Sequence, residues 1–134
     1  MESEKVKNYV IEQAKFFLTK AGEFYPFGVV IRIGGELVPL GVHLDNDHPT
    51  SQEVIDVLEN AIVKKMRDNE ISIAGIGADV FYNHGNSEEK KTAIQVRVLH
   101  SDGVSVDYFL PYEKSGDEII YEMPIVDKGT LNLR

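Results

Sequence analysis

The sequence, 134 residues long, has no cysteine, no long apolar run and no low-complexity tract. Without cysteine there is no disulfide framework, no thiolate nucleophile and no zinc site with cysteine ligands. A membrane-spanning helix needs about 20 consecutive, mostly apolar residues, and no stretch approaches that length. The N-terminal segment also mixes charged with apolar residues, unlike the apolar centre of a signal peptide. These absences predict a cytoplasmic protein that makes no contact with a membrane.

Basic residues are in deficit, because 14 lysines and arginines stand against 22 aspartates and glutamates, for a formal net charge of -8. Binding to nucleic acid and to anionic lipid relies on lysine and arginine, so this charge argues against both partners. A protein partner, basic or neutral, remains compatible with it. The length suits a single domain, residues 1–134, that buries about two-thirds of its unfolded surface.

The most informative stretch is Phe27–Val42, which the pattern of apolar residues predicts to be a β-hairpin. Gly34 and Gly35 both tolerate positive φ, so they suit a two-residue turn. That turn places Ile31 opposite Val38 and makes one face of the hairpin apolar. The other face has fewer large apolar side chains and is partly polar. It carries Val30, Arg32, Leu37 and Pro39. Since proline has no N–H for a neighbouring strand, the second strand is predicted to be a sheet edge.

Two amphipathic helices are predicted, one before the hairpin and one after it. Ser3 is expected to cap the first helix, and Gly22 is expected to end it. The second helix begins with a capping box, in which the side chains of Thr50 and Glu53 accept each other's backbone N–H. Both helices carry an apolar stripe, and we expect both to cover the one apolar face of the sheet.

The remaining strands follow the second helix. Ile71–Tyr82 is predicted to be a strand that adds Ala74 and Ile76 to the apolar face, with Gly75 and Gly77 allowing either a bulge or close packing. A second hairpin follows, turning at 101–103. A two-residue turn there would mix apolar and charged side chains on one face, whereas a three-residue loop keeps them apart and is preferred. Its cross-strand pairs are Ile94 with Leu110, Val96 with Tyr108, Val98 with Val106, and Arg97 with Asp107.

This order of elements predicts an α+β fold with two helices and a five-stranded antiparallel sheet of order 2-1-5-4-3. Residues 1–112 form the expected core, and residues 113–134 form a peripheral tail with one short strand at Glu118–Tyr121. In element order the chain resembles the profilin-like and roadblock layout. Those folds end in a helix, whereas the tail here has no helical stripe.

Four short sequence motifs resemble a family of small uncharacterised bacterial proteins. They are EFYPFG at 23–28, DHP with SQE at 47–53, ADV at 78–80 and LPY at 110–112. The likeness spans most of the chain up to Tyr112. It implies a bacterial, cytoplasmic protein and carries no activity, because that family has no assigned function.

The densest cluster of polar residues precedes the second helix and consists of His43, Asp45, Asp47 and His48. Imidazole and carboxylate groups are ligands for zinc, manganese or iron(II), so these four residues are a candidate metal site. The alternative is structural: an aspartate here makes an Asx turn and places negative charge at the helix N-terminus.

No catalytic motif is recognisable, and we expect no catalytic residue and no cofactor. Gly75-Ile76-Gly77 departs from the dinucleotide fingerprint, because Val80 occupies the third glycine position and a strand continues where the helix should begin. Asp79 is a lone carboxylate on the glycine-bearing face of its strand. Such residues are most often solvated, so it is a weak candidate for an acid or base.

We call the sheet face opposite the apolar one the second sheet face. It is the leading candidate for a binding surface, because it mixes apolar and charged side chains in the way that interfaces do. The alternative is that the tail covers it. We expect a non-enzymatic module that binds a protein partner or forms a homodimer, through this face or through the edge strand. A metal-binding module, and a small-ligand sensor with a pocket between the sheet and the second helix, are the alternatives. The interface candidates are Val30, Arg32, Leu37, Pro39, Phe81, Arg97, Leu99, Asp107 and Phe109.

Overall fold

The structure, a computed structural model, describes residues 2–42, 44, 47–83 and 90–128. Over these ranges the chain has two helices and one antiparallel sheet, which confirms the α+β class. The elements are α1 Glu2–Ala21, β1 Phe27–Arg32, β2 Leu37–Leu40, α2 Ser51–Arg67, β3 Ile71–Asn83, β4 Lys90–His100, β5 Ser105–Ser115, β6 Glu118–Tyr121 and β7 Ile125–Lys128.

The strand order is β2-β1-β3-β4-β5-β6, with β7 also paired to β5, so the five-stranded order 2-1-5-4-3 is wrong. β3, and not β5, lies beside β1. The physical reason is that β3 is apolar on both faces: Ile73 and Ile76 point to opposite sides, and both are buried. A strand with two buried faces belongs inside a sheet. The predicted resemblance to the profilin-like layout assumed the order 2-1-5-4-3, so it does not hold for this sheet.

The first hairpin turns through a three-residue loop, so the predicted two-residue turn is wrong. Ile31 pairs with Leu37, and the N–H of Arg32 donates to the carbonyl of Glu36 at 2.9 Å. A shift of one residue moves every side chain of a strand to the other face. Leu37 therefore packs with the α1 side of the core, and Val38 packs with the α2 side. β2 is the edge strand that Pro39 predicted.

The two helices cover opposite faces of the sheet, and the expectation that they share one face is wrong. α1 packs on the face that carries Val29 and Ile31, whereas α2 packs on the face that carries Val30 and Ile76. Both faces of the central strands are therefore core. The buried helix residues are Val6, Val10, Ala14 and Leu18 of α1, and Val54, Ile55, Leu58 and Ile62 of α2.

Two glycines of β3 bring α1 close to the sheet. A Cβ added at Gly77 would lie 2.6 Å from Cγ1 of Val10, and one added at Gly75 would overlap Cγ1 of Val6. Real Cβ atoms do not come this close to their neighbours. Of the two predicted roles, bulge or close packing, the structure shows close packing against α1.

Several local predictions are confirmed. Thr50 and Glu53 form the capping box, with both bonds at 3.1 Å, and Gly22 follows α1 with a φ of 78°. The second hairpin has the three-residue loop with Gly103 at a φ of 93°. Ser3, in contrast, lies inside α1 and does not cap it.

Residues 113–128 contribute strands to the sheet. β5 extends to Ser115, and the predicted strand at Glu118–Tyr121 is present as β6. β7 was not predicted, and it pairs with β5 through Val126 opposite Tyr108. β6 and β7 together line the side of β5 that faces away from β4.

We predict that Gly75→Ala and Gly77→Ala each lower the free energy of unfolding by about 1–3 kcal/mol, because the added methyl group overpacks the contact with α1. Gly41→Ala is the matched control, since nothing lies within 4 Å of its Cβ position. Urea denaturation of the three variants checks the prediction. Equal stability of Gly75→Ala and Gly41→Ala would contradict the close packing.

Candidate functional site

The second sheet face is not a bare docking surface. Val30 and Leu99 are buried in the part of the core that packs with α2, and Arg97 and Asp107 are also buried. Phe109 is half-buried on the same face. Four of the nine predicted interface residues are therefore interior, because α2 packs on this face.

The other four interface candidates lie elsewhere. Leu37 and Pro39 belong to the α1 face as a result of the hairpin register. Phe81 is also on the α1 face of β3, near the end of the strand, and it is 69% exposed. Arg32 is exposed at the end of β1. The structure thus divides the predicted surface between two faces.

Arg97 and Asp107 form a bidentate ion pair across β4 and β5, which confirms their predicted pairing. Nε of Arg97 donates to Oδ1 of Asp107 at 2.7 Å, and Nη2 donates to Oδ2 at 2.8 Å. Nη1 of Arg97 also contacts Oε2 of Glu59 on α2 at 3.4 Å. Planar, two-bond contacts of this kind are the strongest and most specific that arginine makes.

The role of Arg97, Asp107 and Glu59 is to stabilise the fold. The Arg97 and Asp107 side chains are 1% and 5% exposed, so neither has room to receive a substrate. Burial raises the pKa of Glu59, and the charge of Arg97 opposes that rise. The cluster therefore links α2 to β4 and β5, and it helps to keep α2 packed on the second sheet face.

A second polar pair lies on the α1 face. The Tyr112 hydroxyl donates to Oδ1 of Asp79 at 2.6 Å. Desolvation raises the pKa of Asp79, while the bond from Tyr112 and the charge of Lys114 lower it by smaller amounts. Desolvation, together with the carboxylate of Asp79, also raises the pKa of Tyr112. Asp79 is therefore a half-buried carboxylate with a fixed orientation, and it is not the solvated residue that we expected.

The candidate metal loop is only partly described. His43 and Asp45 lie outside the described residues, and Asp47 and His48 are exposed just before α2. Within the described ranges, no three histidine, aspartate or glutamate side chains lie close enough together to hold a metal ion. A metal site that includes His43 and Asp45 remains a prediction.

Exposed apolar side chains concentrate along β6 and β7. Four of them lie within seven residues of sequence, and we call this group the apolar edge. Its members, with their exposed fractions, are Ile120 (51%), Met123 (84%), Ile125 (38%) and Val126 (64%). This feature was not predicted, because residues 113–134 were expected to form a peripheral tail. Strand-like alternation is hard to read there, since Pro124 interrupts it.

Two grooves complete the candidate surfaces. One, of about 350 Å³, lies between α2 and the β4–β5 hairpin, and its lining includes Val63, Leu99 and Val104. The other, of about 420 Å³, lies at the end of the sheet between Tyr25 and Asp79. Gly75 and Gly77 leave no room for the predicted ligand pocket between the sheet and the second helix, because they face α1, and its Val6 and Val10 fill the space beside them. The groove between α2 and the hairpin is one place where a small ligand could bind.

Comparisons of the chain with family models, with curated proteins and with solved structures find no significant match. The resemblance to a bacterial family therefore stays a prediction. Neither described helix has the length and apolarity needed to span a membrane.

We predict that Arg97→Met lowers the free energy of unfolding by about 3–5 kcal/mol, because it leaves the Asp107 carboxylate buried without its ion pair. The double variant Arg97→Met, Asp107→Leu should recover most of that loss, since an apolar pair fits a buried site. Arg32→Met is the control, because Arg32 and Glu36 form an exposed pair 3.6 Å apart. It should change stability by about 1 kcal/mol or less. A single Arg97→Met variant as mild as this control would contradict the role of the cluster.

We predict that Asp79 weakens the fold at neutral pH. Its raised pKa means that the folded state favours the protonated carboxyl. The corresponding stability is fully present below the ordinary aspartate pKa and is lost as pH rises through the raised value. Asp79→Asn keeps an acceptor for Tyr112 and should be more stable than the wild type at pH 7, with the gain disappearing in acid. Thermal denaturation across pH checks this, with Asp117→Asn at an exposed turn as the charge control. A larger gain in acid than at pH 7 would contradict it.

Proposed function

We propose that this chain is a non-enzymatic protein-binding module that self-associates along the apolar edge. The observation that carries the proposal is the concentration of exposed apolar side chains on β6 and β7, at an open side of the sheet. Exposed apolar side chains on an unpaired strand edge are typical of interaction sites.

The backbone of the edge supports the proposal. β7 pairs with β5 on one side, and among the described strands none pairs with its other side. An edge strand presents unpaired N–H and C=O groups, which another chain can extend by antiparallel pairing. The opposite edge of the sheet, β2, contains Pro39, which disfavours such pairing.

The side chains of β7 also support self-association along this edge. Ile125 pairs with Phe109 and so lies on the α2 face, whereas Val126 pairs with Tyr108 and lies on the α1 face. A strand added beside β7 would therefore meet an apolar side chain on each face of the sheet. Cross-strand apolar pairs contribute about 0.2–1 kcal/mol each, in addition to the backbone bonds.

A second copy of the chain is the occupant that we propose. Two identical edge strands can pair about a twofold axis, so that one apolar edge contacts itself. The net charge of -8 opposes association at long range. Because salt screens that repulsion, the proposal requires self-association to strengthen as ionic strength rises.

We predict that the wild-type protein forms a dimer in sedimentation velocity runs at rising concentration, and that Ile125→Lys, Val126→Lys makes it monomeric. Lysine on an edge strand blocks edge-to-edge pairing. The control is Ile33→Lys, because Ile33 is 56% exposed at the turn between β1 and β2, and this variant should dimerise like the wild type. A wild-type monomer at every concentration and salt level would refute the proposal.

A further inference from the structure

The groove at the end of the sheet exists because β3 is longer than β1. Phe27, the first residue of β1, pairs with Gly77, and β3 runs on for six more residues. We call the resulting groove the acidic cleft, after the carboxylates that line it. It has a volume of about 420 Å³, and it is lined by Ala21, Glu23, Phe24, Tyr25, Ser51 and Asp79.

One wall of the cleft is aromatic and consists of Phe24 and Tyr25, with Phe24 packed in an aromatic cluster behind it. The rings of Phe17, Phe24 and Phe27 pack against one another, with centroids 5.5–6.2 Å apart. Tyr25 follows Phe24 in the chain and is 59% exposed. The same wall continues into a shallower groove of about 370 Å³, which Lys20 also lines.

The cleft also has two acidic groups. Asp79 is held in place by the Tyr112 hydroxyl, which donates to its Oδ1 at 2.6 Å. The backbone of Phe24 is close enough to lower the pKa of the same carboxyl. Glu23 is exposed and close enough for its charge to act on Asp79. Lys114 acts on Asp79 with the opposite sign and is the cation that already neighbours the site. The exposed carboxylate of Glu23 and the ring of Tyr25 therefore meet at one opening.

From this arrangement we infer that the acidic cleft binds an arginine or lysine side chain of a partner protein. A basic side chain there would face the rings of Phe24 or Tyr25 and pair with the carboxylates of Glu23 and Asp79. Cations bind favourably over aromatic faces, and an acidic surface steers basic partners toward it. This inference concerns a site distinct from the apolar edge and does not depend on self-association.

The fold already uses the same contact within the chain. Nζ of Lys7 lies 4.9 Å from the centroid of the Tyr108 ring, and Nζ of Lys15 lies 4.5 Å from that of Tyr121. These two tyrosine rings are engaged by lysines of α1. Tyr25 is more exposed than either, and an external basic side chain would complete the same arrangement.

The test uses a short capped peptide with one central arginine, titrated into the full chain while backbone amide shifts are recorded by NMR. A peptide with citrulline in place of arginine has nearly the same shape but no charge. We expect the arginine peptide to shift the amides of Glu23–Tyr25 and Asp79 saturably, and the citrulline peptide to leave them unchanged. Equal shifts with both peptides would overturn the inference.

Variants assign the contacts. Tyr25→Leu should weaken arginine-peptide binding by about 2- to 30-fold through loss of the cation–π contact, whereas Tyr25→Phe should retain it. Glu23→Gln should weaken binding, and Glu36→Gln, which removes an exposed carboxylate at the β1–β2 turn, should not. Equal weakening by Glu23→Gln and Glu36→Gln would mean diffuse attraction to an acidic surface, which overturns the inference. The monomeric Ile125→Lys, Val126→Lys variant should bind the peptide like the wild type.

Discussion

The contact of α1 with the two glycines of β3 determines how the rest of the molecule packs. Because Gly75 and Gly77 have no side chains, Val6 and Val10 reach the strand backbone, and α1 fills the space that side chains would otherwise occupy. The opposite face of β3 carries larger residues such as Ile76, on which α2 packs. β3 can therefore bury both faces only at the centre of the sheet. The strand order and the placement of both helices follow from that position.

Features set by neighbouring residues were predictable from the sequence. The capping box needs only Thr50 and Glu53, three residues apart, and both bonds form. The loop that ends at Gly103 was chosen because it separates apolar from charged side chains, and that choice also placed Arg97 opposite Asp107. In each case the physical requirement, a satisfied N–H or a consistent face, is met within a few residues or across one hairpin.

Features set by distant contacts were not predictable in the same way. Gly34 and Gly35 accept positive φ in either turn, so the turn alone does not choose between two and three loop residues. The choice depends on where Leu37 and Val38 find apolar partners, and those partners come from both sides of the sheet. We assumed one apolar face, and that assumption favoured the wrong register. Gly75 and Gly77 give one face of β3 few side chains, so the sequence did not indicate that this face is buried. It is nevertheless the face on which α1 packs most closely.

The candidate sites follow from the same geometry. A helix on each face encloses the polar side chains there, so the bidentate pair of Arg97 and Asp107 serves the interior and is not available to a partner. Helices cover faces but leave strand edges and ends unpaired. β3 has 13 residues beside the 6 of β1, and that difference opens the acidic cleft. β5 has 11 residues and is bordered by two strands of 4, whose outer side is the apolar edge. Unequal strand lengths thus place both proposed binding surfaces at the perimeter of the sheet, where the alternation of side chains between its two faces does not reveal them.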